Sequence, residues 1–223
     1  MQLRRLNREY RQTEPLAPPA NCGDLRFRAL LSAAAWHELS PAVRARFSKR
    51  LTGGAAAIYR GQVVETRMSR LGRLLAEAGR LIGGPLPLRA VPGMPAIVAV
   101  TEDAATNGQF WTRIYGRPRG FPQTIQSSKR FQGATGLEEY VGRGVGMALT
   151  IRVEAGALLF ESTHYFLELG RLRLILPRWL SPGRLTVAHR PLDDRHFEFS
   201  LDIQHPLAGE ILHQTAVFTE DAP

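Results

Sequence analysis

Cysteine and long apolar runs are scarce in this 223-residue sequence, and each scarcity excludes a class of protein. Cys22 is the single cysteine, so an intramolecular disulfide and a cysteine-based zinc site are excluded within one chain. No apolar run reaches the roughly 18 residues that a membrane-spanning helix needs. Glu9, Arg11, Glu14 and Pro15 interrupt the segment where the apolar core of a secretory signal would lie. We therefore expect a cytoplasmic protein without a transmembrane segment.

Lysine is almost absent as well, although the chain is strongly basic. The sequence has 29 basic and 20 acidic residues, for a net charge of +9, and only Lys49 and Lys129 are lysines. Such a balance often indicates a nucleic-acid or anionic-membrane partner. Here the arginines are scattered, and Glu9, Glu14 and Glu77 interrupt their densest groups. We therefore expect no nucleic-acid partner.

The length and composition that remain are those of a globular chain. With 44% hydrophobic and 22% charged residues, 223 residues suffice for one domain with a sizeable core and no stabilising metal or disulfide. Residues 1–22 combine arginines and prolines with few large apolar groups, which predicts a flexible basic tail. Residues 23–220 then form the predicted single domain.

Helical periodicity is confined to the first part of the chain. Asp24 is a predicted cap for a helix whose apolar stripe begins at Phe27, and Ser40 followed by Pro41 predicts the start of a second helix. The clearest stripe runs from about Met68 to Ile82, with arginines on the opposite face. That basic face would suit an anionic membrane or a lid over a cavity, but packing of the stripe on a sheet is the favoured interpretation.

The remainder of the sequence alternates with a period of two. A first strand or hairpin, turning at Arg60-Gly61, is predicted near Ala55 to Val64, and about nine strands follow Pro85. These later strands are predicted at Ala96–Thr101, Gln109–Tyr115, Gln123–Phe131, Val145–Glu154, Ala157–Leu169, Leu172–Leu176, Arg184–Arg190, Phe197–Gln204 and Ile211–Phe218. The glycines of residues 142–146 are predicted to form a turn and bulge, because a strand and not a helix follows them.

This order of elements predicts the fold class. No helix separates the late strands, which excludes a parallel, doubly wound sheet. We expect an α+β fold in which two or three N-terminal helices pack on a large curved antiparallel sheet, either a half-barrel or a barrel-like meander. Met147, Leu149, Phe197 and Phe199 should face its apolar interior.

No catalytic or metal-binding motif stands out. Four histidines lie close to three aspartates near the C-terminus, but none forms an HxH or HxxxH pair. The sequence also lacks a GxSxG nucleophile motif. We therefore predict no metal site and no cofactor, and the catalytic residues, if there is a reaction, stay unknown.

Several polar side chains interrupt apolar strand faces and are candidates for the lining of a pocket. Trp111 and Arg113 share one face by their two-residue step, while His164 and Ser162 interrupt a face that carries Phe160. Buried polar groups need partners, so these residues either pair internally or line a pocket. The candidate ligand-lining residues are Trp111, Arg113, Ser127, Glu139, His164 and Tyr165.

Six short motifs between Phe110 and Gly209 resemble a bacterial family known as domain of unknown function 4166. The motifs are Phe110-Trp111-x-Arg113, Gln126-Ser127-Ser128, Gly136-Leu137-Glu138-Glu139-Tyr140-Val141-Gly142, Gly156-Ala157-Leu158-x-Phe160, Leu176-Pro177-x-Trp179-Leu180 and His205-Pro206-x-x-Gly209. The resemblance spans about Asp24 to Phe218. Some members of the family are fused behind a saccharopine-dehydrogenase-like, NAD(P)-binding domain, which implies an NAD(P)-dependent reductase as a candidate partner. The resemblance supplies no catalytic residues.

Three functional hypotheses remain open from the sequence. The first is a non-catalytic module that binds an apolar or amphipathic small molecule inside the curved sheet, accessory to a reductase. The second is an enzyme with a polar cleft around Arg113, Glu139 and His164. The third is a protein-interaction domain, for which a large exposed apolar patch would be the sign.

Overall fold

The computed structural model describes residues 23–88 and 91–220, which form four α-helices, a 3₁₀ turn and eleven β-strands. The helices are α1 (Arg26–Ala29), α2 (Ala33–Glu38), α3 (Pro41–Phe47) and α4 (Arg70–Gly79), and the 3₁₀ turn is Arg80–Ile82. The strands are β1 (Ala56–Met68), β2 (Pro95–Asp103), β3 (Gly108–Tyr115), β4 (Gln123–Arg130), β5 (Glu138–Gly142), β6 (Val145–Glu154), β7 (Ala157–Leu169), β8 (Leu172–Ile175), β9 (Arg184–Pro191), β10 (His196–His205) and β11 (Gly209–Glu220). The predicted tail lies outside the described residues.

Ten of the strands in these two segments close into an antiparallel barrel. Each strand from β1 to β7 pairs with the next, β7 then pairs with β9, and β9 to β11 lead back to β1. The strand β8 pairs with the end of β7 and projects from the ring as half of a hairpin. The predicted large curved antiparallel sheet is confirmed in its closed form, whereas the helices contribute less to the fold than the sequence suggested.

The two faces of the barrel follow the alternation read from the sequence. Met147 and Leu149 on β6 and Phe197 and Phe199 on β10 are all buried in the core that fills the barrel, as predicted. Thr150, at an intervening position of β6, faces outward and is exposed. The period of two therefore separates a dry interior from a solvated exterior.

Helices α1 to α3 plug one end of the barrel, called here the closed end. Phe27 of α1 and Phe47 of α3 meet edge to face with 5.1 Å between ring centroids, and Phe47 stacks on Trp111 at 6.4 Å. The helix α3 begins as predicted, with Pro41 in its first turn and the Ser40 hydroxyl accepting a hydrogen bond from the Val43 amide. Aromatic packing thus excludes water from this end.

Helix α4 lies at the opposite end, called here the open end. A Cβ on Gly72 would collide with the backbone carbonyl of Ile211, so glycine allows α4 to pack closely against β11. Leu75 faces the barrel interior, whereas Leu74 on the other side of the helix is 66% exposed. Within the described segments, no helix is both long and apolar enough to cross a membrane.

The strand β1 differs from its prediction, because it is continuous through the expected turn at Arg60-Gly61. Gly61 lies in register with Ala96 on one side and Phe218 on the other. The glycine is needed for close approach, since a Cβ there would collide with the carbonyl of Val217. The strand then continues to Met68, so α4 starts at Arg70 and not at the predicted Met68.

Two further predictions near secondary-structure boundaries were wrong. The helix expected after Asp24 is interrupted between Ala29 and Ala33, where Ser32 caps a new helix by accepting a hydrogen bond from the Ala35 amide. The strand β5 was not predicted from the sequence; it is short and begins with two glutamates. The turn and bulge predicted for residues 142–146 are confirmed, with Arg143 in a left-handed conformation at φ 45°.

The strand β7 changes partners along its length and contains a bulge. Its first half pairs with β9 and its last residues pair with β8, while the register against β6 shifts between Ser162 and His164. Because Thr163 is the additional residue, Phe160 and Tyr165 both face the interior although an odd number of positions separates them. His164 consequently faces outward.

Candidate ligand-binding cavity

A cavity of about 370 Å³ occupies the open half of the barrel. Leu75 and Ala78 of α4 and Leu176 and Leu180 of the loop between β8 and β9 surround its mouth. Its walls are apolar strand residues, namely Ile125, Val141, Val145, Met147, Leu185, Val187, Phe199, Leu201 and Ile203. A pocket of this size and lining is typical of sites that enclose a small molecule.

The deep end of this cavity has a polar floor, defined as Arg113, Ser127, Glu139 and Tyr165. The Arg113 Nη1 donates to Ser127 Oγ at 3.2 Å, and its Nη2 lies 3.6 Å from Glu139 Oε1. The other carboxylate oxygen of Glu139 accepts a hydrogen bond of 2.6 Å from Lys129 Nζ. Adjacent strands supply these groups, because β3, β4 and β5 are consecutive neighbours in the barrel.

Glu139 is an ionised carboxylate in this environment. Burial on its own would raise the pKa of Glu139, but the nearby charges of Lys129 and Arg113 and hydrogen bonds from Lys129 and Ser127 lower it to about 2. Lys129 is also fully enclosed; burial lowers its pKa, and the charge of Glu139 opposes this effect. Arg113 on the floor and Lys129 behind it therefore share the carboxylate of Glu139.

The Tyr165 hydroxyl on this floor is short of hydrogen-bond partners. It is buried near Ser162, yet it makes no hydrogen bond of normal geometry with any described residue, and burial raises its pKa to about 12. Tyr115 lines the same cavity but donates to Gln214 Oε1 at 3.0 Å. Among the described residues, the Tyr165 hydroxyl therefore has a free donor, whereas the donor of Tyr115 is already used.

A second layer of polar groups lies deeper, between the cavity and the closed end. His189 is enclosed by aromatic rings, including Phe47 at 5.1 Å and Phe199 at 5.5 Å between centroids. Burial and the neighbouring cations lower its pKa well below 6.5, so this imidazole is neutral. Beyond it the Arg46 guanidinium lies 3.6 Å from the ring centroid of Phe197, and its Nε and Nη1 find no hydrogen-bond partner among the described residues.

Four of the six residues predicted to line a ligand site meet on the polar floor, and two do not. Trp111 lies just below the floor, where Lys129 Nζ is 4.9 Å from the centroid of its ring. His164 lies on the outer face of β7, and its Nδ1 is 3.2 Å from Thr163 Oγ1. There it lines an open groove of about 820 Å³ between β7 and the segment from Ile175 to Arg184. The predicted convergence of His164 with Arg113 and Glu139 is therefore wrong, because the bulge reverses its face.

Lys129 and His189 were missed as interior residues. Each stands two positions after a residue on the interior face, Lys129 after Ser127 and His189 after Val187. The same two-residue step that connected Trp111 with Arg113 would have found them. Within the described residues, no group of three or more histidines, cysteines, aspartates or glutamates is arranged to hold a metal ion.

In comparisons with known proteins, the family model described as "Domain of unknown function (DUF4166)" matches residues 39–218. The matched range includes β1 to β10, β11 as far as Phe218, and every residue that lines the cavity. No curated protein and no solved structure matches the chain.

Proposed function

The chain belongs to this domain family, and we propose that its barrel is a non-catalytic module that binds a small apolar or amphipathic molecule. The observation that carries the proposal is the apolar cavity of about 370 Å³ with a polar floor at its deep end. Removal of apolar ligand surface from water would supply affinity at about 25 cal/mol per Å². The few polar groups would orient the guest.

The arrangement of polar side chains around the cavity supports a binding role more than a catalytic one. The enzyme hypothesis needs His164 beside Arg113 and Glu139, but His164 lies on the opposite face of β7. Glu139 is held by Lys129 and has a pKa of about 2, so it is a poor general base at neutral pH. The groups that remain on the floor are suited to hold a ligand in place.

Native mass spectrometry of gently purified protein, followed by displacement of the neutral dye Nile red, tests the proposal. We expect an added mass to be lost on denaturation and the dye to fluoresce in the empty cavity. Ala78→Trp places a large ring at the mouth and should weaken dye binding at least tenfold. Leu74→Trp, on the exposed side of the same helix, is the matched control and should leave binding unchanged. Equal dye binding by both variants would place the dye elsewhere and contradict the proposal.

A second candidate function, association with another protein, is favoured by β8. Leu172, Leu174 and Ile175 on this strand and Trp179 after it are 45% to 70% exposed, and within the described residues no strand pairs with the outer edge of β8. Exposed apolar side chains beside an unpaired strand edge suit a docking partner. An NAD(P)-dependent reductase is the partner that we propose. Co-elution with such a reductase in size-exclusion chromatography should be lost in Ile175→Glu, and an unchanged elution of both proteins would contradict this function.

A further inference from the structure

We propose that the guest of the barrel is an amphipathic carboxylate whose head group binds Arg113 and Tyr165 while its apolar tail points toward α4. The inference rests on the proposed function and adds the chemical class of the ligand.

The first argument is the balance of charge around the floor. Among the described residues that face this part of the interior, Arg113 and Lys129 are cationic, His189 is neutral and Glu139 is the single carboxylate. Lys129 lies 2.6 Å from Glu139, whereas Arg113 lies 3.6 Å from it. The tighter pair therefore belongs to Lys129, and Arg113 keeps a positive charge that is only loosely compensated. A buried charge of this kind favours an anionic partner.

The second argument is the number of free donors. A guanidinium has five N–H groups, and within the described residues Arg113 uses one of them in a hydrogen bond, to Ser127. The Tyr165 hydroxyl is buried with no hydrogen bond of normal geometry to a described residue. Both side chains line the cavity. With respect to the described part of the chain, Arg113 has several unused donors and Tyr165 adds one more, while the phenolic oxygen of Tyr165 is the one unengaged acceptor of the pair. This excess of donors suits a carboxylate.

The third argument is the direction of the cavity. The polar groups lie at its deep end, and the walls from there to the mouth are aliphatic, as at Val141, Met147 and Leu176. A molecule with one charged end and one apolar end fits this order only with its charged end inward. A cationic head group would be repelled by Arg113 at the floor, and a neutral head group would leave the charge of Arg113 only loosely compensated.

The test compares three ligands with the same tail, decanoate, decanol and decylammonium, by calorimetric titration into the full chain after removal of bound lipid. We expect decanoate to bind about ten- to a hundredfold more tightly than decanol, which corresponds to hydrogen bonds with a charged group. We expect decylammonium to bind more weakly than either. Equal affinities for decanoate and decanol, or tighter binding of decylammonium, would overturn the inference and leave the proposed function standing. Failure of all three ligands to bind would instead overturn the proposed function as well.

Variants assign the preference to particular atoms. Arg113→Gln should bring the ratio of decanoate to decanol affinity close to one. Tyr165→Phe, which removes a hydroxyl that makes no hydrogen bond of normal geometry with a described residue, should reduce the ratio about two- to tenfold. Tyr115→Phe makes the same change in the same cavity at a hydroxyl already bound to Gln214, and should leave the ratio unchanged. If Arg113→Gln does not fold, the two tyrosine variants decide the question, and equal ratios for them would refute the inference.

Discussion

Removal of the Glu139 carboxylate should destabilise the barrel more than any exposed charge substitution. In Glu139→Gln, Lys129 keeps its place inside the barrel but loses the partner that lies 2.6 Å away, and both side chains are less than one-tenth exposed. Loss of one member of a buried ion pair costs about 3 to 5 kcal/mol, because the other charge stays buried without compensation. We expect the free energy of unfolding of Glu139→Gln to fall by about this amount at neutral pH.

The pKa of Glu139 gives an independent magnitude and a pH dependence. Its folded value is about 2 against an ordinary value of 4.5, a difference that corresponds to about 3 kcal/mol. Since the folded pKa is the lower one, this stabilisation is fully present above about pH 4.5 and is lost as the pH falls toward 2. The stability difference between the wild type and Glu139→Gln should therefore narrow over that acidic range.

Urea unfolding followed by circular dichroism measures both effects. With a slope of about 2 kcal/mol per M, a loss of about 3 kcal/mol lowers the unfolding midpoint by about 1.5 M. Glu198→Gln removes one carboxylate from an exposed pair with Arg190 and should cost less than about 1 kcal/mol. The double variant Lys129→Met/Glu139→Leu should recover only part of the lost stability, because Lys129 is no longer left unpaired but Arg113 still loses its nearby carboxylate. A cost for Glu139→Gln no larger than that of the exposed control would refute the reasoning.

The remaining predictions concern buried groups at other positions. His189→Phe should stabilise the fold by about 1 kcal/mol at neutral pH, because Nδ1 has no partner among the described residues. Its advantage should widen below about pH 6.5, where the unfolded wild type binds a proton that the folded imidazole does not; a constant difference would contradict this. Tyr165→Phe should leave the free energy of unfolding unchanged or raise it, whereas Tyr115→Phe should lower it by about 1 kcal/mol, as measured by thermal unfolding. A larger loss in Tyr165→Phe than in Tyr115→Phe would contradict this prediction. Gly61→Ala should cost about 1 to 3 kcal/mol in chemical unfolding through collision with a backbone carbonyl of β11, whereas Gly116→Ala has ordinary contacts and should be nearly neutral.

Most strands could be predicted from the sequence because their residues alternate between the solvent-exposed face and the buried face of the barrel. The ranges Val145–Glu154 and Ala157–Leu169 agree with β6 and β7 at both ends. The short β5 could not be found in this way, since Glu138 and Glu139 are both buried. A buried glutamate on each face of β5 conceals the apolar period. The cations that make these two carboxylates tolerable, Arg173 for Glu138 and Lys129 for Glu139, come from other strands.

Closure of the barrel and the assembly of the floor depend on pairings that local periodicity does not contain. Arg113, Ser127 and Glu139 share one face of three neighbouring strands, so their common orientation was accessible from the two-residue step. The position of His164 was not accessible, because a single bulge residue, Thr163, changes the face of all positions that follow it in β7. The deep position of Arg46 likewise depends on how α3 plugs the closed end.

A ring of strands resists widening, because amide and carbonyl groups join every neighbour to the next. The backbone ladder between β7 and β9 ends at the pair Glu161 and Thr186. At the next position the Ser162 hydroxyl accepts a hydrogen bond from the Leu185 amide. Tyr165 stands beside this interruption, with the cavity on one side and the outer groove on the other. The Tyr165 ring is therefore part of the partition between the two spaces, at a point where a side-chain hydroxyl replaces the backbone ladder.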